Sequence, residues 1–414
     1  MTRGARLRRK LSVVGLLLVV TMLFRGSQNM AQTTMSILGH ERLHLDPATI
    51  GAVMAGSALC GVAASAFLAP HVPPDRRRLA VAAAMVGLAI ALCLFATSPG
   101  VAQMAVAAGL LGVCGGLVTP TLTTMAGSWG GPGRDRDLAL YTMALSLSLA
   151  VGPLVEAFVL RLSGQSLTTA FFVFTCFPVV AVVLLWTWKV RPGSGGSPES
   201  GSGSGGSPAP AAMTSTRRLW DRYRELLGNR TWRAAVTGML IYQVPFVAVV
   251  TFGGSMARVV DGASPAAAEV AFGAFFAMSL CARGWAAWKA PISRKTGALG
   301  ASALVTVAGL LCLSLGHGLV WLVVAMAILG IPHGLVFPVV LAMVAGGSSP
   351  EQLALANATF LAVVSLVAVV IPTLLGLLIT GFGYRVTMLL VLIPVLGFSA
   401  LLGLPRRSRS RPVV

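Results

Sequence analysis

Long apolar runs broken by short polar stops fill almost the whole chain. A membrane-crossing helix needs about 20 mostly apolar residues. The pattern predicts twelve such helices, at about 11–38, 48–70, 79–97, 100–126, 138–160, 166–190, 232–257, 264–288, 298–316, 318–344, 352–379 and 384–404. The stops between them include Ser98-Pro99-Gly100 and Gly316-His317-Gly318. Glycine and proline inside several runs do not count against them, because neighbouring helices in a bilayer satisfy the backbone groups that proline frees.

Composition agrees. The 414 residues are 56% hydrophobic and 10% charged, with a mean hydropathy of +0.84, whereas soluble domains are about one quarter charged. A net charge of +19, from 31 basic and 12 acidic residues, invites a nucleic-acid partner. Two tracts without any charge, 79–133 and 296–350, exclude that reading. The basic residues instead sort by loop. With the N-terminus inside, 26 Lys and Arg fall on the inner side, and Arg42, Arg161, Arg258 and Arg385 on the outer side. This asymmetry is what the positive-inside rule requires. The expectation is a multi-pass protein of the bacterial inner (plasma) membrane with both termini cytoplasmic, its basic excess facing anionic lipid. The basic N-terminus followed by Leu11–Phe24 resembles a secretory signal, but no small-x-small site follows, so cleavage is not expected. The six cysteines all fall within spans, which predicts packing roles, no disulfide and no metal site.

The spans divide six and six. Residues 1–190 form one predicted bundle and 232–404 the other, with a linker at 191–231 and a basic tail at 405–414. Within the linker, the Gly/Ser/Pro tract 192–212 is expected to be disordered. About 215–229 has Trp220, Tyr223, Leu226 and Leu227 at helical spacing among arginines, which predicts an amphipathic helix in the inner interface. A shift of 217 residues carries the first charge-free tract onto the second and Arg76–Arg78 onto Ser293-Arg294-Lys295. Such a recurrence marks a duplicated six-helix unit.

With these features the chain resembles the major facilitator superfamily. The loop between spans two and three reads HVPPDRRR from His71 to Arg78, where the family has G-x-x-x-D-R-x-G-R-[RK]. Asp75 and Arg76 match its D-R pair, while His71 and Arg78 replace the two glycines. The resemblance implies an all-α fold of two pseudo-symmetric six-helix bundles. It also implies a gating role for Asp75 and Arg76 against the start of span eleven, where Ser349-Pro350-Glu351 provide a helix start. A carboxylate there would meet unpaired N–H groups. Gly152-Pro153, with Ser148 before it, half matches the family's antiporter signature, while Glu156 and Ala157 stand where paired glycines would be.

Ionisable residues within a bilayer mark pathways or pairs. Counted from Lys10, Arg25 lies about 22 Å along its helix, and Glu156 lies about 28 Å from Asp137, so the two are expected at comparable depth. An Arg25–Glu156 contact is therefore expected, with Arg25 holding a polar or anionic substrate group and Glu156 exchanging a proton. Gln28, Asn29, Gln32 and Ser36 continue a polar stripe from Arg25, three, four, seven and eleven residues on. In the second half, Tyr242 stands at the position of Arg25 in the repeat, followed by Gln243 and Pro245. Span ten adds His333, the natural titrating group of that half. The hydroxyls of Thr119, Thr121, Thr123 and Thr124 beside Pro120 are expected to bond backbone. Glu269 and Arg283, near opposite ends of span eight, are expected to play no part in transport, Arg283 by snorkelling to the interface.

No GxxxxGK[ST] loop is present, so ATP is not expected to drive the protein, nor is it expected to be an enzyme. The expectation is a secondary transporter that exports a small organic molecule against a proton gradient, with no cofactor, no nucleic acid and no need of a second copy. Proton-coupled uptake of a small, anionic solute and a transporter-like receptor or scaffold are the alternatives.

Overall fold

The computed structural model describes residues 3–128, 134–187, 216–289, 294–348 and 352–403, and every element among them is helical. The Gly/Ser/Pro tract, the basic tail and the helix start at Ser349–Glu351 lie outside the described residues. The first half contains α1 (Arg3–Glu41), α2 (Pro47–Ala63), α3 (Arg77–Thr97), α4 (Val101–Ser128), α5 (Arg134–Leu162) and α6 (Leu167–Thr187). A short α7 (Thr216–Gly228) leads into the second half: α8 (Arg230–Asp261), α9 (Pro265–Trp288), α10 (Lys295–Leu315), α11 (Gly318–Gly347), α12 (Leu353–Leu390) and α13 (Leu392–Gly403). Ten segments among the described residues are long and apolar enough to cross a bilayer. The tenth, Leu355–Gly403, holds two crossings, because Gly383 adopts φ 77° and breaks the helix. The polar-striped α1, 39 residues long, makes the remaining crossing of a twelve-helix bundle.

Helix starts and stops follow from the sequence. Asp46 caps α2 by accepting from the Thr49 N–H at 2.9 Å, with Pro47 in the first turn. That bond and the Thr49 hydroxyl hold its carboxyl below the usual carboxylate range. Ser264 and Pro265 start α9 in the same manner, and Asn229 caps α8 by accepting from Thr231 and Trp232. Gly262, at φ 61°, ends α8 in the left-handed conformation that other residues enter only with strain. Asn229 also donates to the Gly347 carbonyl at 2.6 Å, and Trp232 to Ala356 at 3.1 Å. Leu226 of α7 is buried against Trp232, whereas Trp220 and Leu227 remain exposed.

The two ends of the bundle differ. At the end carrying few arginines the halves are sealed against each other. Glu41 of α1 pairs with Arg258 of α8, which also reaches the Ala263 carbonyl. Gln165, after α5, accepts from the Ala266 N–H at 3.0 Å. Within the second half, Arg385 ties the loops at this end together, 3.8 Å from Asp261 and donating to the Gly316 carbonyl at 3.1 Å. On the same side α2 and α12 touch backbone to backbone. A methyl group built on Gly51 would collide with the Pro372 carbonyl, and one on Gly376 with that of Pro47. The opposite, basic end is built differently. There α2 unwinds through a π turn (Ala64–Leu68) and a 3-10 turn (Ala69–His71), and Phe67 and Leu68 are exposed.

The α2–α12 contact predicts that Gly51→Ala and Gly376→Ala each lower the unfolding midpoint in detergent, at a cost of about 1–3 kcal/mol. Gly56→Ala, on the same helix with open space before it, should leave the midpoint unchanged.

Candidate functional site

Polar residues inside the bundle gather in two layers. The first lies near the sealed end. Glu156 is six residues before the end of α5 and Glu269 four residues past the start of α9, about 9 and 6 Å in. Both side chains are fully buried. They belong to different halves, and their carboxyl groups lie within hydrogen-bonding reach of each other. Helix α1 clasps both from one turn: Thr34 donates to Glu156 Oε1, and Thr33 to Glu269 Oε2 at 3.3 Å. The other two oxygens, Glu156 Oε2 and Glu269 Oε1, are buried with no donor. Among the described residues no cation is paired with either carboxyl. Arg258 is spent on Glu41, Arg283 bonds Ser146, and Arg25 bonds Gln28. Two carboxylates this close oppose one another when both are charged.

The expected Arg25–Glu156 contact is therefore corrected. Glu156 meets α1 at Thr34, nine residues and about 14 Å beyond Arg25. Counting from Lys10 and Asp137 failed because α1 begins at Arg3, so those two residues do not mark one common plane. Glu269, read from the sequence only as a residue near a helix end, is buried against Thr33 and faces Glu156. Counted from the sealed end, the two glutamates stand at nearly equal depth, the one signal in the sequence that pairs them.

The second layer lies deeper, toward the basic end. Arg25 donates to Gln28 Oε1 at 2.8 Å, and Asn29 beside them is buried, while Gln32 is half-buried; Ser36, buried beyond Thr34, lies on the first layer's side and donates to the Thr33 carbonyl at 3.5 Å. From the second half come Tyr242 and Gln243 of α8, both buried, and His333 of α11. Ser279 and His333 Nδ1 share a hydrogen bond of 2.6 Å. The His333 ring stacks on Phe246 at 4.7 Å and lies 5.2 to 5.8 Å from Phe275, Tyr242 and Phe276. The two cationic groups that act on it are Arg283 and Arg25, one from each half. Arg283 does not snorkel to the interface; it turns inward and donates to Ser146 of α5 at 2.8 Å. Sequence reasoning missed Arg283, Ser279 and the three phenylalanines, since nothing in their local pattern distinguishes them from packing residues.

Other expected residues sit apart. Asp75 and Arg76 lie at the basic end, both exposed, 3.9 Å from each other. The hydroxyls of Thr121, Thr123 and Thr124 turn back onto carbonyls of α4. The six cysteines are free thiols.

This architecture is that of a two-bundle membrane transporter. The sequence model of the Major Facilitator Superfamily matches residues 17–290 and 261–414, and the chain belongs to that family. No curated protein matches it by sequence. Solved structures with the same fold include a bacterial homolog of the human lysosomal transporter Spinster, inward-facing and unoccupied. It is 13% identical over 94% of this chain and 95% of that one, with a TM-score of 0.75. The nucleoside transporter NupG is 15% identical over 94% and 99%, with a TM-score of 0.73. A POT family transporter in complex with 5-aminolevulinic acid is 11% identical over 94% and 95%, with a TM-score of 0.73. The chain is a multi-pass membrane protein of secondary-transporter type.

Removing the Ser279 hydroxyl leaves the His333 ring nitrogen without its buried partner. Ser279→Ala should cost about 1 kcal/mol in a membrane interior, seen as a lowered unfolding midpoint in detergent.

Proposed function

We propose that the chain is a proton-coupled exporter of a small organic molecule, working as a monomer by alternating access, with its basic end in the cytoplasm and Glu156 as the proton carrier. The observation that carries this reading is the Glu156–Glu269 pair, buried between the two halves with an unpaired oxygen on each side chain. A proton is the smallest ligand that satisfies both oxygens. Rocking of one half against the other would part α5 from α9. Each carboxyl would then meet water from the opening side and exchange its proton there.

The sealed arginine-poor end fits a state open toward the cytoplasm. Gly152-Pro153, Gly152 abutting Gly26 of α1, supports the antiport direction, as does the half-matched signature around it. The basic residues at the open end supply the charge bias that orients the chain.

Everted vesicles energised to an acidic interior, challenged with organic compounds one at a time, provide the test. A transported compound should release protons from the interior, and Glu156→Gln should abolish that release in protein that still folds. Glu269→Gln should change its pH dependence. Compound-dependent acidification of the interior would mean symport and uptake. Transport unchanged by Glu156→Gln would return that residue to a packing role.

A further inference from the structure

Helix α7 takes no part in the transport cycle described above, yet it carries an unpartnered surface of defined chemistry. We propose that α7 docks on an anionic phospholipid surface, with Trp220, Tyr223 and Leu227 seated among the headgroups and Arg224 against lipid phosphates. This docking anchors the basic ends of α8, α11 and α12. Neither the direction of transport nor Glu156 bears on it.

The two sides of α7 differ in chemistry. At about 100° per residue, Trp220, Tyr223 and Leu227 fall within about 60° of one another, and all three are exposed, Trp220 to 71%. Leu226, about 60° beyond Tyr223 on one side, is buried in a cluster with Trp232, Met343 and Val344. Arg224 lies about 40° beyond Trp220 on the other side, exposed and with no partner among the described residues. Asp221 and Glu225 lie farther round, about 100° and 140° from Trp220. Along the helix Arg217, Arg218, Arg222 and Arg224 outnumber those two acids. An exposed apolar arc bordered by a cation on a basic helix is the pattern of a helix lying in a membrane interface.

Position selects lipid as the occupant. Helix α7 lies at the basic end, beside the first turn of α8. Trp186 at the end of α6 and Trp285 and Trp288 at the end of α9 are exposed at that same end. Tryptophan gathers at the boundary between headgroups and hydrocarbon, and Trp220 is a further exposed tryptophan on this side. Arginine at that boundary is drawn to anionic lipid and gains little from a zwitterionic surface.

Docking at α7 reaches into the bundle. Asn229, directly after α7, caps α8 and donates to the Gly347 carbonyl at the end of α11 at 2.6 Å. Trp232 donates to the Ala356 carbonyl of α12 at 3.1 Å. A methyl group built on Gly347 would meet Thr231 at 2.8 Å, so the end of α11 packs directly on the first turn of α8. A lipid surface that holds α7 therefore holds the basic ends of three helices of the second half.

The test is amide hydrogen exchange of residues 216–228 in the full-length protein, in nanodiscs of dioleoylphosphatidylglycerol and in nanodiscs of dioleoylphosphatidylcholine. A helix of 13 residues is marginal in water on its own, so its exchange reports whether a surface supports it. Exchange in phosphatidylglycerol should be about tenfold slower or more than in phosphatidylcholine, and the difference should shrink at high salt. Arg224→Gln should lose about fivefold of that protection. Trp220→Ala should speed exchange in both lipids, while Arg161→Gln, an exposed arginine at the sealed end, should change nothing. Unaltered exchange of α10 would show that each variant still folds. Equal exchange of α7 in the two lipids would overturn the proposal. So would wild-type protection of α7 in folded Arg224→Gln or folded Trp220→Ala.

Discussion

A polar atom inside a bilayer has no water to bond with, and every feature of this interior follows from that constraint. Backbone groups are satisfied within helices, which is why every described element is helical. Side chains must find one another. The threonines of α4 meet the demand locally, by bonding carbonyls of their own helix. Glu156, Glu269 and Arg283 do not, and the partners they take across helices define where the two halves meet.

Those partners separate by charge. Carboxyl groups and two threonines occupy the layer beside the sealed end, while arginines, His333 and aromatic rings occupy the layer nearer the basic end. Keeping the charges apart prevents them from neutralising each other in a permanent ion pair. Each layer keeps buried polar atoms without a hydrogen-bond partner among the described residues. Both layers draw residues from both halves, so the occupancy of either bears on how the halves are disposed. In a two-bundle transporter that is how binding becomes coupled to movement.

Close backbone contact does the mechanical work at the sealed end. Gly51 and Gly376 let α2 and α12 meet without intervening side chains, as small residues do wherever membrane helices pack tightly. Three of the four arginines on that side are tied down, Arg258 to Glu41, Arg385 to Asp261 and Gly316, and Arg42 to the Ala96 carbonyl and Thr168. They act as fasteners between loops, which explains why basic residues remain at an end otherwise poor in them.

The crossings, their division into halves and the uneven charge of the two ends were all legible in the residues alone. Each is a sum over local transfer free energies, accumulated about 20 residues at a time, and needs no knowledge of neighbours. The polar stripe from Arg25 to Ser36 was equally legible, because its spacing belongs to a single helix. Which residues meet across helices was not. Arg25 and Glu156 looked level when counted from their own loops, yet α1 offers Thr34 to Glu156 and keeps Arg25 about 14 Å away. Glu269 and Arg283 read as helix-end residues, and only the packing of α9 against α1, α5 and α11 turned both inward. Contacts among residues 34, 156 and 269 depend on the relative depth and rotation of three helices. No local pattern encodes those, and tertiary packing alone decides them.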